Sequence, residues 1–400
     1  MIRSESPAWP PSAGSADIQS ILVFTQDLDV YSEQLLGELM ARGVTVHCVV
    51  DPVQKTQFPN WTSALPIAAW INLKGRLDSA AADSYAALIS RLKPDVCLCY
   101  TSRALSVALK AKRQLRSPVI VVGTRGAVGG ISAWYLQDWF SYLSPQLNAV
   151  VGFSDAISRR VAHEARRLWK KHPGLFVTIY PGYSFLLDGA TRRTKQSEQS
   201  EQNEQETGKT IITVANERPI KGLSLLLDAL ERHVTNTSWR FVWIGQVSAA
   251  TTARIAASPI LSRQVTCMGY QPNARLLMAK ADLYVQPTLS PGEGIGNAIA
   301  EAMASEVLVL TSDVGGAPEL LAPEYRSLQT FEADSAASLG QAIDRLLANP
   351  ALARNIGIDA RQRIAQAFGL AMEADRYVAL FNHLKQQPLA ATLPANLKRF

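Results

Sequence analysis

Two acids eight residues apart, Glu293 and Glu301, stand in the segment GEGIGNAIAEAMA spanning 292–304. The first lies in a glycine-rich turn, the second in an alanine-rich helical stretch. Glycines 292, 294 and 296 bare the backbone amides ahead of a helix expected to begin near Asn297. A helix start carries unpaired N–H groups and a partial positive charge, and so suits a phosphate. An acid beside a phosphate would be repelled, so Glu293 needs another partner. A carboxylate accepts two hydrogen bonds, which fits the hydroxyls of a sugar. Glu301, about two turns into the helix, can point back to a neighbouring hydroxyl such as a ribose. The competing reading of Glu301, a solvated helix position, sits poorly with its apolar neighbours Ala298, Ile299, Ala302 and Met303.

A second cluster, ERPIKG (217–222), follows the apolar run IITVAN. Arg218 and Lys221 stand just before a helical pattern, Pro219 stiffens the turn, and Gly222 lets the backbone come close. Two cations at a helix start make a diphosphate site; ordinary solvated cations remain the alternative. A third loop, VGGAPELL (314–321), has a Gly315–Gly316 turn, with Pro318 and Glu319 suited to a first helical turn. Plain capping explains it equally well. Together the loops assemble phosphates, a sugar and a nucleoside. A dinucleotide fold is disfavoured: TQDLDVYSEQ follows the first strand, where a G-x-G-x-x-G would stand.

These loops need a frame. Apolar runs begin at Ile21, Val44, Asp95, Pro118, Ala149 and Phe176, and again at Ile211, Arg240, Val265, Leu283 and Val307. Helical patterns alternate with them, including YSEQLLGELMARG ending in Gly43, AAADSYAALISRL, GLSLLLDALERH, NARLLMAKA and GNAIAEAMA. Near-continuous apolar strands alternating with helices argue for parallel sheets covered on both faces. The expectation is an α/β chain of two doubly wound, Rossmann-like domains facing a central cleft, with ligands beyond the carboxyl ends of the strands. The segment Thr194 to Thr210 has no apolar residue and marks the cut. The expected division is an N-terminal domain over 1–188, a polar linker over 189–209 and a nucleotide-sugar domain over 210–366. A last helix, about 367–400, carries an apolar stripe through Met372, Tyr377, Leu380 and Leu384.

Four hundred residues with 47% hydrophobic content can build two full cores. No apolar run approaches the roughly 20 residues of a membrane span, and the polar first twenty residues lack a signal-peptide core. Cys97 and Cys99 alternate on one strand face and read as small buried residues rather than metal ligands. The five histidines show no metal spacing. The net charge of +6 is uneven. Arg103 to Lys171 holds twelve Lys/Arg against three Asp/Glu, a balance of +9, while the remainder carries −3. Within it, RRVAHEARRLWKK (159–171) fits an amphipathic helix with Val161, Ala165 and Leu168 inward. Its outer face is either simply solvated or laid on anionic lipid. No nucleic-acid motif accompanies it.

The segment Gly292 to Leu321 resembles the signature of retaining, family 4-type nucleotide-sugar glycosyltransferases, which have two Rossmann-like domains (the GT-B fold). RPIKG (218–222) is similar to their phosphate loop, and KPDVCLCY (93–100) to the strand before their acceptor cleft. The resemblance implies that Glu293, Lys221 and Arg218 do the catalytic work, with Glu293 on the donor sugar and both cations on the leaving diphosphate. It implies donor binding by Glu301 on the ribose, by Gly294, Ile295, Gly296 and Asn297, and by Gly269 and Tyr270 at the base. It implies no metal and no other cofactor, and a final helix that crosses back to the N-terminal domain. The expected activity is retaining transfer of a sugar to a saccharide or lipid-linked acceptor, in cell-surface polysaccharide or lipopolysaccharide synthesis. The expected place is the cytoplasm, peripheral on the inner face of the membrane, an anionic membrane surface being a candidate partner. Two departures bear on the acceptor. DLDVYSEQ replaces a Gly-Gly turn after the first strand. Arg125, with Gly126, Gly129 and Gly130, stands where a histidine is common. Arg125 could meet an anionic acceptor or the donor phosphate, and Trp134, Tyr135 and Trp139 could stack on a sugar or pack in the core. The rival functions are a nucleotide-sugar epimerase, a phosphorylase on the same fold, and a non-catalytic nucleotide-sugar-binding subunit.

Overall fold

Among the described residues of the first half of the chain there are seven parallel strands, most of them buried apolar runs. They are β1 (Ser20–Thr25), β2 (Thr45–Val50), β3 (Ile67–Trp70), β4 (Val96–Cys99), β5 (Ile120–Arg125), β6 (Ala149–Gly152) and β7 (Leu175–Thr178), in the order β3-β2-β1-β4-β5-β6-β7. Register is set by apolar pairs such as Ile21 opposite both Val46 and Val96. The covering helices are α1 (Val30–Ala41), α2 (Ser79–Leu92), α3 (Ser102–Leu115), the single turn α4 (Leu136–Trp139) and α5 (Asp155–Leu168). Four of them begin on a side chain that accepts an amide of the first turn: Asp29, Asp78, Thr101 and Ser154. Each such cap is worth about 1 kcal/mol. The computed structural model describes residues 18–26, 28–54, 63–75, 78–169, 172–184, 208–235 and 238–387. The first 17 residues, the polar linker as far as residue 207, and the chain beyond 387 lie outside them.

The second half repeats the plan with six parallel strands. They are β8 (Lys209–Val214), β9 (Trp239–Ile244), β10 (Val265–Gly269), β11 (Leu283–Gln286), β12 (Leu308–Ser312) and β13 (Thr330–Phe331), in the order β10-β9-β8-β11-β12-β13. Its helices are α6 (Leu223–Arg232), α7 (Ala249–Ala257), α8 (Leu261–Gln264), α9 (Ala274–Met278), α10 (Asn297–Ala304), α11 (Ala317–Leu320), α12 (Ala336–Leu347) and α13 (Pro350–Ala367). Phe241, Trp243, Leu283, Val285 and Leu310 lie in its core. The last helix, α14 (Leu370–Gln386), returns to the first half, where Tyr377, Leu380 and Leu384 enter the same core as Leu35 and Leu39 of α1. The described residues thus divide into two compact units: those within 18–126, 130–182 and 369–387, and those within 127–129 and 183–368. In each sheet the strand order reverses at a central pair, β1/β4 in the first and β8/β11 in the second. Ligands of open parallel sheets gather beyond the carboxyl ends at such points.

Some features differ from expectation. Strand β3 (IAAW) is half-buried and carries two alanines, so no apolar run marks it. Residues 110–116 carry a basic run to the end of α3, and there the half-buried Lys112 turns inward. Its ammonium donates to Asn148 Oδ1 at 2.9 Å, and burial pushes its pKa down to about 8. Cys48, Cys97 and Cys99 are buried free thiols, with burial raising Cys97 to about 12. Cys267, on the edge strand β10, is exposed. Among the described residues no helix is long and apolar enough to cross a membrane.

Candidate functional site

The loops after β8 and β11 flank the reversal point of the second sheet, and glycine sews them together. Gly222 has φ +64°, and a Cβ there would stand 1.7 Å from the carbonyl oxygen of Pro287. The amide of Leu289 donates to the carbonyl of Ile220 at 2.9 Å. This places Arg218 and Lys221 beside the acidic loop, although the two motifs are far apart in sequence. Lys221, 15% exposed, puts its ammonium 2.7 Å from Glu293 Oε2. Arg218, 64% exposed, stands 4.0 Å from Glu293 Oε1. Helix α6 begins at Gly222 and α10 at Gly296, neither with a side-chain cap. Both helix starts therefore keep their positive ends available to an anion.

Glu293 is also held from beneath. The buried Tyr284 hydroxyl donates to Gln286 Oε1 at 2.7 Å. That fixes the amide so that its NH₂ faces Thr288 Oγ1 at 3.3 Å and Glu293 Oε2 at 3.4 Å. Burial, then the charge of Glu301 and to a lesser degree that of Glu293, holds the Tyr284 phenol above its ordinary pKa, so it remains a donor. Both acids of the GEGIGNAIAEAMA segment thus lie around this one tyrosine. The Gly315–Gly316 turn clasps the same loop: the Gly316 amide donates to the carbonyls of Glu293 at 3.0 Å and Gly294 at 3.1 Å. It supports the acid as well as opening α11.

Gly294 is buried, and Ile295, Gly296, Asn297 and Glu301 are half-buried. Asn297 Oδ1 accepts the Tyr183 hydroxyl at 3.2 Å. Gly269 closes β10, its carbonyl accepting the Gly245 amide at 2.9 Å, and Tyr270 beyond it is exposed. In the first unit, Arg125 ends β5, with its guanidinium 5.0 Å from the centroid of Tyr142. A Cβ on Gly126 would meet Phe153 at 3.3 Å. Trp139 packs: its indole N–H donates to the Ala133 carbonyl at 2.9 Å, and its ring meets Trp169 edge-on at 6.2 Å. Trp134 and Tyr135 stay exposed. The sequence reading passed over Gln286, Tyr284 and Tyr183. The only signal for the first was a polar residue closing an apolar strand, LYVQ.

Two parallel sheets of this order, with glycine loops and cations at the switch point of the second, define a GT-B-like fold. The solved structures bear this out. The chain superposes on a UDP complex of Anabaena Alr3699/HepE with a TM-score of 0.70, at 18% identity over 90% of this chain and 98% of that one. It superposes on a glycosyltransferase from Rickettsia africae with a TM-score of 0.71, at 16% identity over 94% of this chain and all of that one. At such identities the likeness establishes the fold. Residues 194–363 match the family of glycosyl transferases group 1. A lipopolysaccharide core biosynthesis mannosyltransferase of Rhizobium leguminosarum is 32% identical over 171 residues, 41% of this chain. The match spans 48% of that relative's length.

Proposed function

We propose that the chain is a retaining glycosyltransferase that takes a sugar from a nucleotide-sugar donor to a saccharide or lipid-linked acceptor, in cell-surface polysaccharide or lipopolysaccharide synthesis. It works in the cytoplasm, peripherally on the inner face of the membrane. The observation that carries this reading is the Arg218–Lys221–Glu293 cluster between two uncapped helix starts. In the free protein the acid neutralises the cations. When a diphosphate arrives, the cations take it, and the released carboxylate accepts hydrogen bonds from donor-sugar hydroxyls. Glu301 holds the ribose, Gly269 and Tyr270 flank the base, and Gly294 to Asn297 line the phosphates. Arg125 and Gly126 serve the acceptor, whereas Trp134, 79% exposed, encloses no saccharide.

Cleavage of the anomeric C–O bond puts negative charge on the diphosphate. Lys221, Arg218 and the starts of α6 and α10 stabilise that charge. The acceptor oxygen bonds the anomeric carbon on the same face, and its proton passes to the leaving phosphate. No protein nucleophile and no metal ion enters this scheme. The related mannosyltransferase supports a saccharide acceptor, and the UDP complex makes uridine nucleotides the first to test. A thermal-shift screen of UDP-, GDP- and ADP-sugars selects the donor, because a ligand stabilises the state it binds. Transfer is then followed by mass spectrometry and anomeric configuration by NMR. Donor converted to an epimer without acceptor makes the chain an epimerase. Binding without turnover across a broad acceptor panel makes it a binding subunit.

A further inference from the structure

One surface of the first unit is not used by this chemistry. On α5 the exposed residues are Arg159, Arg160, His163, Arg166 and Arg167, with no acid among them. Glu164, the acid in the middle of the helix, is fully buried. It accepts the Ala133 amide at 2.8 Å and lies 3.2 Å from Arg160 and 3.7 Å from Arg167. One carboxylate therefore fastens the 131–136 loop to the helix and aims two arginines past it. The loop is tied again where the Ser132 amide donates to Asp138 at 3.1 Å and the Trp139 indole donates to Ala133 at 2.9 Å. On this fixed backbone three consecutive large side chains face out: Trp134 is 79% exposed, Tyr135 53% and Leu136 62%. The Arg167 guanidinium stands 5.9 Å from the Trp134 ring centroid, so the two features are one surface.

Single exposed apolar residues are ordinary, whereas a contiguous, rigidly presented group needs a partner. A saccharide is gripped in a concave site, and side chains this exposed enclose nothing. Tryptophan and tyrosine settle at the headgroup level of bilayers, and arginines beside them are drawn to anionic lipid. Charge and an apolar insert together hold where either alone is weak. We infer that Trp134, Tyr135 and Leu136, with the arginine face of α5, form a docking surface for an anionic lipid bilayer. This deepens the peripheral placement proposed above and does not depend on the glycosyl-transfer chemistry.

The test is co-sedimentation of the full chain with phosphatidylcholine vesicles, with and without phosphatidylglycerol. Salt is set at about 0.05 M and about 0.5 M, which shortens the screening length several-fold. The expected result is binding to the anionic vesicles only, lost at high salt. Trp134→Ser with Leu136→Ser should weaken it about tenfold. Arg159→Gln with Arg166→Gln, which spare the Glu164 pairs, should weaken it about fivefold for each charge removed. Circular dichroism and the nucleotide-sugar thermal shift should be unchanged in both variants, so a failed surface and a failed donor site are distinguishable. Equal binding to neutral vesicles, no binding, or wild-type binding by both variants would overturn the proposal. So would capture by a soluble anionic polysaccharide in place of vesicles, which would give this face to the acceptor.

Discussion

Glu373 offers a prediction that needs no ligand. It is buried in the first turn of α14 and accepts the amide of Gly182 at 2.7 Å, where the chain leaves the first unit. Burial pushes its carboxyl up to about 8 from 4.5; the Gly182 hydrogen bond opposes, Asp29 adds and Arg376 opposes. The folded chain therefore keeps a proton here that the unfolded chain has lost. Stability falls as pH rises from about 4.5 to about 8 and levels off above, because the folded state binds more protons within that window. The gap of about 3.5 corresponds to at most about 5 kcal/mol. Glu373→Gln keeps an acceptor for Gly182 and cannot ionise. Urea unfolding of both proteins at matched pH isolates the effect, since all other titrations cancel. The variant should match the wild type near the acid end and exceed it by several kcal/mol above about pH 8. A difference that stays flat across the window would refute the burial argument.

Lys221→Ala and Glu293→Gln should each lower sugar transfer about 10²-fold or more, comparable to losing one oxyanion donor, while melting temperature without ligand barely changes. Wild-type turnover in both would remove these residues from the chemistry. Gln286→Leu deletes the amide that faces Glu293 and should lower kcat more than it raises KM; Gln286→Glu, with a like charge facing Glu293, should be worse, and equal rates would contradict the orienting role. Gly222→Ala should destabilise far more than Gly269→Ala: both have φ near +65°, but only at Gly222 would the Cβ meet a carbonyl oxygen. Equal melting temperatures would contradict the stitched-loop geometry. Dialysis against EDTA should leave the rate unchanged, and loss restored by Mg²⁺ would show that the cations do not suffice.

The frame was legible because parallel strands buried on both faces write themselves as apolar runs. The loops after β8 and β11 were legible because glycine and cations cluster where strands end. The rest depends on contacts between distant residues. Gln286 acts through Tyr284 and Glu293, and nothing in LYVQPT says which way an amide turns. Lys112 sits in a basic run and would pass as solvated, yet its ammonium is held by Asn148. Glu164 belongs to an arginine-rich helix, but its hydrogen-bond partner is the amide of Ala133, 31 residues earlier. The two alanines of β3 and the two residues of β13 are too short or too small to announce strands.

The most direct measurement is a crystal structure of the full chain with whichever nucleotide-sugar gives the largest thermal shift. The account predicts pyrophosphate oxygens within hydrogen-bonding distance of the Lys221 ammonium and the start of α10, a donor hydroxyl on Glu293 and the ribose on Glu301. A nucleotide bound away from the β8 and β11 loops, or Lys221 still paired to Glu293 with no phosphate contact, would contradict it.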